Sequence, residues 1–369
     1  MQQDFHYYAT YAAAYLAGYS HEECMDICYS AEFVDHCSAT LLAKIEGPED
    51  AATTQLQLEL MDSPMDILGI MEMTRIWSAF HFLPYDLYAE KKWATKIYKN
   101  KYRLICKPNG ALLAETVNLA KGKSLQAVGL AMHVLADTWA HSYFAGTPSQ
   151  VINNVNYYFY ELVPEGDGFI EREIRFRHKK STPDDIENGL YSNTLHRGIE
   201  NSVMNLGHGR AGHFPDYSFA RYKYLPAWDN YKVVLKDNPK DYMKAFTQMV
   251  YAMKYLRGEY TSFELDRYDT EAVEPYESRI KEILEKRQLD GCADWKEFCQ
   301  ELSGETIEDF DLEKYQDEYL LAPKPQKGYA FLGKFIEAAY SQKHMVTDRI
   351  YKSGNRLAGI SLDIKGKKL

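Results

Sequence analysis

Several familiar sequence signals are missing from this chain of 369 residues. No run of about 18 apolar residues occurs, so we predict no transmembrane segment. The opening residues, Met1 to His6, contain neither a basic stretch nor an apolar stretch, so we predict no secretory leader and a cytoplasmic location. The six cysteines are scattered without CxxC spacing, which predicts reduced, structural thiols. Internal repeats and low-complexity tracts are missing too, which favours an ordinary globular body.

Positive charge is also in short supply, with 43 basic side chains against 53 acidic ones and a net charge of −10. Because basic patches supply most of the affinity for duplex nucleic acid, we expect no duplex nucleic acid partner. A small phosphorylated or lipid substrate remains compatible, because bound metal ions can reverse the local electrostatic field. The composition predicts no particular oligomeric state.

Helical patterns dominate what is present. Residues 20–23 form a capping box, and Ser124 precedes the most apolar helix, predicted over 125–144. Pro-containing caps predict two further helices, over 147–162 and 182–207. Residues 169–177 partly alternate between apolar and charged side chains, which indicates one short β-hairpin. We therefore predict an all-α class, in which one multi-helix domain surrounds a buried metal site.

The charge pattern suggests how this body is organised. We expect residues 1–268 to form the main metal-binding domain. Residues 269–325 are rich in Glu and Lys and weakly apolar, so we predict a peripheral helical layer or lid. Residues 326–369 are predicted to pack back on the main domain as C-terminal helices.

The strongest chemical signal is the series His133, Asp137 and His141 on the most apolar predicted helix. Spacing of four residues advances about 40° per step, so the three side chains share one stripe of that helix. Burying three ionisable groups is costly unless something pairs them, and imidazole and carboxylate are ligands of zinc, manganese and iron. The series predicts one wall of a metal site. The alternative is a hydrogen-bonded core histidine with a second histidine that caps the helix.

Further candidate ligands occur in similar apolar surroundings. Each one alone is compatible with a satisfied core histidine, but their recurrence in a chain with only 11 histidines favours a joint metal site. The candidates outside the central helix are His6, Asp35, His36 and His81.

A glycine-rich segment at 207–216 brings His208, His213 and Asp216 together, and its glycines allow the backbone to approach a ligand closely. We predict that at least one of the three lies near the histidines of the central helix, with Asp216 orienting a metal-bound imidazole. The alternative is a helix cap followed by a solvated loop.

Just upstream, His196 and Glu200 have the i, i+4 spacing of a ligand pair on a helix. The same spacing is compatible with an exposed polar face. Either this pair or the glycine-rich segment is expected to complete the site.

The order of these motifs resembles the zinc-dependent phospholipase C and S1/P1 nuclease superfamily over about residues 1–210. Enzymes of that superfamily are all-α and hold three clustered zinc ions. Their ligands are an N-terminal amine, an early His, an Asp late on a helix, a His in a His-Phe-Ile-like segment, a His-xxx-Asp helix with a further His, and a His-xxx-Asp/Glu pair. The matching positions are Met1, His6, Asp35, His81, His133, Asp137, His141, His196 and Glu200.

The chain also resembles a bacterial branch without an assigned activity. Its members begin Met-Gln-x-Asp-Phe-His-Tyr-Tyr-Ala-Thr-Tyr and carry Gly-His-Gly-x-x-Gly-His-x-Pro-Asp. Two features depart from the wider superfamily. His141 follows Asp137 by only four residues, and the first residue is Met1 rather than a residue exposed by signal cleavage. An ordinary α-amine has a pKa of about 7.7–8.0, so its deprotonation for ligation would cost little.

The resemblance implies a metal-dependent hydrolase, most simply a zinc phosphodiesterase that acts on a phospholipid-like or nucleotide phosphodiester. Two or three zinc ions are implied, with iron or manganese as alternatives. Asp35 would act as ligand or base in orienting the attacking water, and a third metal at His6 and Asp137 would stabilise the leaving oxygen. Three arginines are candidates for binding the phosphate: Arg210, Arg172 and Arg175. The alternative for each is a solvated position on the surface.

Two other classes stay open. An HD-like di-metal (iron) phosphohydrolase or oxygenase needs an adjacent His-Asp pair, and here only Asp35-His36, in reversed order, comes near. A non-catalytic helical metal-binding protein would need only one closed site with four ligands, fewer than the candidates above.

Overall fold

The computed structural model describes residues 1–56, 67–155, 158–177, 183–193 and 207–360. A π-helical turn over Asp4–Ala9 continues directly into the first α-helix. In chain order the helices are α1 (Thr10–Leu16), α2 (His21–Phe33), α3 (Ala39–Lys44), α4 (Ile67–Phe80), α5 (Lys96–Tyr102), α6 (Ala111–Ala120), α7 (Leu125–Ala140), α8 (Gln150–Asn153), α9 (Asn238–Arg257), α10 (Thr270–Val273), α11 (Glu277–Glu285), α12 (Cys292–Ser303), α13 (Gln316–Leu321) and α14 (Phe331–Lys352). The strands are β1 (Phe159–Glu165), β2 (Gly168–Glu173), β3 (Arg175–Arg177), β4 (Leu190–Ser192), β5 (Arg221–Tyr224) and β6 (Val234–Asp237). None of the described helices is both long and apolar enough to cross a membrane.

Helix α7 is the central element of the helical part. Ser124 caps it by accepting a hydrogen bond from the backbone N–H of Ala127, and its side chains are buried along almost the whole length. It contacts α2, α4, α6, α9 and α14. A Cβ on Gly129 would lie 2.2 Å from the carbonyl oxygen of Ile27, so only glycine lets α2 approach this closely. The close approach places the end of α2 beside His133.

The predicted capping box at residues 20–23 is confirmed. Ser20 accepts from the backbone N–H of Glu23 at 3.3 Å, and the carboxylate of Glu23 accepts from the backbone N–H of Ser20 at 2.9 Å. This reciprocal pair fixes the start of α2, and hence the direction in which that helix delivers Asp35 to the site.

The all-α prediction is wrong, because the fold is a mixed α/β fold with a four-stranded antiparallel sheet of order β2-β1-β5-β6. The helix predicted over 147–162 lasts only through α8, and β1 follows it. Residues 159–165 are rich in Phe, Tyr, Leu and Val, and their burial alternates at the start of the strand, which favours a sheet. The hairpin predicted at 169–177 supplies β2, which pairs with β1. The sequence pattern predicts a helix for the first residues of β1.

The prediction of a helix over 182–207 is also wrong for those residues of the range that the structure describes. Residues 186–189 form a turn, and β4 then pairs in parallel with β3. Residues 194–206 lie outside the described residues.

The sheet supports the glycine-rich segment through a cluster of aromatic side chains. Phe214 packs edge-on against Phe159 of β1 and Tyr191 of β4, with ring centroids 5.6 and 4.4 Å apart. Tyr224 of β5 stacks at 5.8 Å on Phe144, which follows α7 in the chain. The sheet therefore holds the glycine-rich segment against the C-terminal end of α7.

The larger apolar core draws buried side chains from Met1 to Ala358, including Trp295 and Phe298 of α12. The boundaries predicted at residues 268 and 325 remain predictions.

Candidate metal centre

The carboxylate of Asp137 is at the middle of a buried cluster of histidines. Its Oδ1 atom lies 2.7 Å from the α-amine of Met1 and 3.2 Å from Nε2 of His6. Its Oδ2 atom lies 3.3 Å from Nδ1 of His81 and 3.2 Å from Nε2 of His133. The two oxygens thus face two different sets of ligand atoms, as in a carboxylate that bridges two metal ions.

The first potential ligand group comprises Asp35, His81 and His133, whose ligand atoms lie within 4.8 Å of one another. Oδ1 of Asp35 is 3.6 Å from Nδ1 of His81 and 3.9 Å from Nε2 of His133. The Asp35 side chain is 33% exposed, whereas the two histidines are almost fully buried. Asp35 is therefore the member of this group that faces solvent.

A second group comprises His6, His133 and Asp137, with the Met1 amine beside it. It shares His133 with the first group, and because His133 Nδ1 donates to Ala31 O, its Nε2 can bind an ion in only one of the two groups. The His6 ring stacks on the His133 ring, with centroids 3.8 Å apart. His6 Nε2 lies close to Asp137, but in the described part of the chain neither ring nitrogen makes a hydrogen bond of acceptable geometry. A fully buried imidazole without a hydrogen bond is suited to coordinate an ion.

The third group comprises His141, His208 and Asp216. Oδ1 of Asp216 is 3.0 Å from Nε2 of His141 and 3.5 Å from Nε2 of His208. Gly207 allows this arrangement because its φ is +51° and a Cβ would lie 1.9 Å from the Phe82 ring. The same Asp216 oxygen is 3.5 Å from the Met1 amine, which joins this group to the second one.

Backbone carbonyls orient four of the histidines. A carbonyl only accepts, so the ring nitrogen facing it carries the proton and the other nitrogen presents a lone pair to the site. The four donor–acceptor pairs are His133 Nδ1 to Ala31 O (2.9 Å), His81 Nε2 to Thr53 O (2.9 Å), His141 Nδ1 to His81 O (2.7 Å) and His208 Nδ1 to Gly212 O (2.8 Å).

The electrostatics favour neutral imidazoles at His6 and His208. At His81, by contrast, the effect of burial is outweighed by Asp137 and Asp35, which raise the pKa of that imidazole. Burial lowers the pKa of His6 to about 3 and that of His208 to about 4. Burial opposes ionisation of Asp137 and Asp216, yet the surrounding histidines and the amine hold the pKa of both carboxyls well below its usual range. Burial also favours the neutral form of the Met1 amine, but Asp137 and Asp216 outweigh it and raise the pKa to about 11. Its deprotonation therefore costs more than an ordinary α-amine would imply.

A cleft of about 540 Å³ opens onto the first and third groups. This volume falls in the range of roughly 300–1,000 Å³ that is usual for small-molecule sites. Members of the first and third groups line it, together with Met1, Trp77 and Leu289, whereas His6, His133 and Asp137 are not among the lining residues. A substrate in this cleft would have direct access to the first and third groups, and would meet the second only at the Met1 amine.

Most of the predicted site residues meet here. The structure brings together Met1, His6, Asp35, His81, His133, Asp137, His141, His208 and Asp216. Two others lie at the cleft but outside the ligand groups. His213 is 61% exposed beside Asp216, and His36 pairs with Glu32 at 2.9 Å. His196 and Glu200 lie outside the described residues.

The predicted phosphate-binding arginines have other positions. Arg210 lies in a short 3-10 turn over Gly209–Ala211 and is not among the described residues that line the cleft. Arg172 contacts the buried carboxylate of Glu161 at 2.6 Å, and Arg175 donates to the carbonyl of Asn188 at 3.2 Å. Both of these side chains bond within or beside the sheet.

Sequence reasoning missed two side chains of the cleft. Glu32 is buried, burial raises its pKa to about 7, and it precedes His36 by one helical turn, a spacing that could have revealed the pair. Trp77 precedes His81 by the same spacing, and its Nε1–H has no hydrogen-bond partner in the described residues. The Trp77 indole N–H therefore lies buried beside the cleft, unpaired in the described part of the chain.

The fold and the site thus define a mixed α/β protein with three adjoining His/Asp groups that could bind metal ions. A family model described as "Family of unknown function (DUF6765)" matches residues 1–350, and the chain belongs to that family. No curated protein and no solved structure matches the chain.

Proposed function

We propose that this protein is a zinc-dependent phosphodiesterase with three metal ions, acting on a phospholipid-like or nucleotide phosphodiester. The observation that carries the proposal is the position of Asp137, whose two oxygens face two ligand groups, with the third group adjoining through Met1. A purely structural site would be closed by four ligands, whereas the first and third groups line an open cleft.

The donor set supports zinc over harder cations. Each group combines two imidazole nitrogens with one carboxylate. None of the cysteines in the described residues belongs to a group. Nitrogen and carboxylate ligands of this kind suit zinc, with iron and manganese as less favoured alternatives. Bound zinc ions would polarise the phosphoryl group and lower the pKa of water to about 7.

The protein side chains have separable roles in such a reaction. Asp35 is partly exposed at the cleft and its pKa lies below the usual value, because burial is outweighed by His133, His6 and His81. An ionised carboxylate at this position can orient the attacking water and accept its proton. The Trp77 ring lines the cleft, where it offers an apolar wall to the substrate.

The HD-like alternative gains no support from the arrangement of Asp35 and His36. The His36 imidazole is paired with Glu32, so the two neighbouring residues do not bind as one unit. Iron in the purified protein would nevertheless favour that alternative.

The test joins elemental analysis to a hydrolysis assay. Protein purified without added metal is expected to contain zinc and to hydrolyse bis(p-nitrophenyl) phosphate, a phosphatidylcholine or a dinucleotide. A chelator should abolish the activity and zinc should restore it. Asp35→Asn should lose most activity, while His344→Asn, which changes an exposed histidine, should keep it. A zinc-loaded protein that hydrolyses none of these diesters would contradict the proposal.

A further inference from the structure

Exposed large apolar side chains concentrate in two short segments, residues 88–97 and 231–235. These segments contribute six of the 16 exposed large apolar side chains in the described part of the chain. Trp93 is the extreme case, with an exposure of 102%. The six residues are Tyr88, Trp93, Ile97, Tyr231, Val233 and Leu235. Contiguous exposed apolar surface of this kind usually marks an interaction site.

Contacts between the segments make them parts of one surface. The ammonium of Lys91 donates to the carbonyl of Trp228, and the ring of Tyr102 lies 6.2 Å from the Trp228 ring. Tyr85 and Leu235 line the same hollow, which has a volume of about 510 Å³. We call the surface formed by residues 85–107, residues 231–235 and this hollow the aromatic surface.

The aromatic surface is basic in an acidic protein. Residues 85–107 contain six Lys and one Arg against one Asp and one Glu, a net charge of +5, whereas the whole chain has −10. Lys99 and Arg103 both pair with Glu90, at 2.8 and 2.7 Å. Lys92 and Lys96 are exposed, and neither makes an ion pair with a described residue. Positive charge is therefore available to a partner.

The hollow adds further cationic groups among aromatic rings. The ammonium of Lys107 lies 5.2 Å from the ring centroid of Tyr143 and 5.9 Å from that of Trp228. The buried ammonium of Lys236 is held by Asp241 Oδ2 at 2.5 Å, by Ser142 Oγ at 2.6 Å and by the carbonyl oxygen of Trp139 at 2.8 Å. Asp237 and Asp241 line the hollow beside four lysines, so its net charge is positive. Exposed Lys240 and Lys244 stand at its edge. A phosphate group in this hollow would meet several cations.

We propose that the aromatic surface binds an anionic lipid bilayer, with headgroup phosphates at the hollow and Trp93 at the level of the acyl chains. Trp and Tyr favour the membrane interface, because one part of the side chain is apolar and the other polar. Clustered lysines favour anionic lipids by about 1 kcal/mol each, which is about fivefold in binding. A second copy of this chain fits less well, because two surfaces of the same charge would repel. The proposal is independent of the metal centre.

The test is co-sedimentation with two kinds of vesicle. One consists of phosphatidylcholine alone, and the other contains about 40% of the anionic lipid phosphatidylglycerol. The protein is expected to bind the anionic vesicles and to dissociate from them as the salt concentration is raised. It should not bind the neutral vesicles. Lys92→Glu with Lys96→Glu should weaken binding by about tenfold or more. The control reverses two exposed lysines elsewhere, Lys281→Glu with Lys324→Glu, and should bind like the wild type.

Trp93→Ala distinguishes insertion from simple charge attraction. Brominated acyl chains should quench part of the tryptophan fluorescence of the wild type, and this part should vanish in Trp93→Ala. Two results would overturn the proposal. One is the absence of binding to anionic vesicles. This result would count in the same way if the protein instead formed a dimer that Trp93→Ala dissociates, because a second copy would then occupy the surface. The other is equal binding by the wild type and the Lys92→Glu, Lys96→Glu variant.

Discussion

The α-amine of Met1 lies 2.7 Å from Oδ1 of Asp137, although the two residues are 136 positions apart in the sequence. Both groups are almost completely buried. An ion pair at this depth requires partners for the remaining protons of the amine, and Asp216 Oδ1 and His141 Nε2, each 3.5 Å away, provide acceptors. The same contact joins the beginning of the chain to the last turn of α7, so changes at either residue should affect one centre.

Asp137→Ala should remove the carboxylate shared by two ligand groups. We expect zinc to be lost from both groups and the free energy of unfolding to fall by about 3 kcal/mol, because the buried amine and histidines lose their counter-charge. Elemental analysis and urea unfolding measure the two effects. Asp167→Ala changes an exposed aspartate and should alter neither. Full zinc content and unchanged stability in Asp137→Ala would refute the shared-ligand role.

An extension before Met1 should disturb the second ligand group, since it replaces the buried amine by a peptide bond. In protein whose first residue is shown by mass spectrometry to be Met1, we expect the extension to remove one zinc ion and most activity. A tag of the same sequence after Leu369 should leave both unchanged. Equal zinc content in the two tagged proteins would mean that the amine is not a ligand.

Metal binding should release a proton from Met1. The amine has its pKa raised to about 11, mainly by Asp137 and Asp216 against the effect of burial, so it is protonated near neutral pH and must be neutral to coordinate zinc. Zinc affinity should therefore rise with pH throughout the range below about 11. His6, with a pKa lowered to about 3, should release none.

Calorimetry in two buffers of different ionisation enthalpy measures this release. The N-terminally extended protein should release about one proton fewer than the wild type, because it has no amine to deprotonate. Identical proton release by the two proteins would exclude coordination by the amine.

Two glycines with positive φ offer a matched pair of substitutions. A Cβ at Gly207 would clash with the Phe82 ring at 1.9 Å, whereas a Cβ at Gly166 would meet nothing within 4 Å. Both Ala variants should lose about 1 kcal/mol of stability from the unfavourable φ. Only Gly207→Ala should displace His208 and lower zinc content. An equal zinc content in both variants would show that the close approach of Gly207 does not position His208.

The central helix could be predicted because its ligand spacing and its apolar surroundings are both local properties. His133 and Asp137 of α7, and His141 directly after it, do lie on one side and face the same cluster. Strand β1 could not be recognised in the same way, because its Phe159 and Glu161 are buried by contacts with segments distant in the sequence. There the tertiary contacts outweigh the local helix signal of the preceding cap.

The third ligand group shows a similar limit. Helical spacing made His196 and Glu200 a candidate pair. His208, by contrast, is positioned by Gly207 and by the aromatic cluster of the sheet that packs against the glycine-rich segment. Neither is a periodic pattern. The burial of Met1 likewise depends on the packing of the π-helical turn that follows it, and spacing says nothing about that packing.

The most direct test of the central claim is anomalous diffraction at the zinc absorption edge from crystals of the untreated protein. The account predicts three peaks, each within about 2.0–2.3 Å of ligand atoms from one of the three groups. One peak should lie between Asp35, His81 and His133, one beside His6 and the Met1 amine, and one between His141, His208 and Asp216. A single peak bound by four protein ligands, or no peak in any group, would contradict the claim.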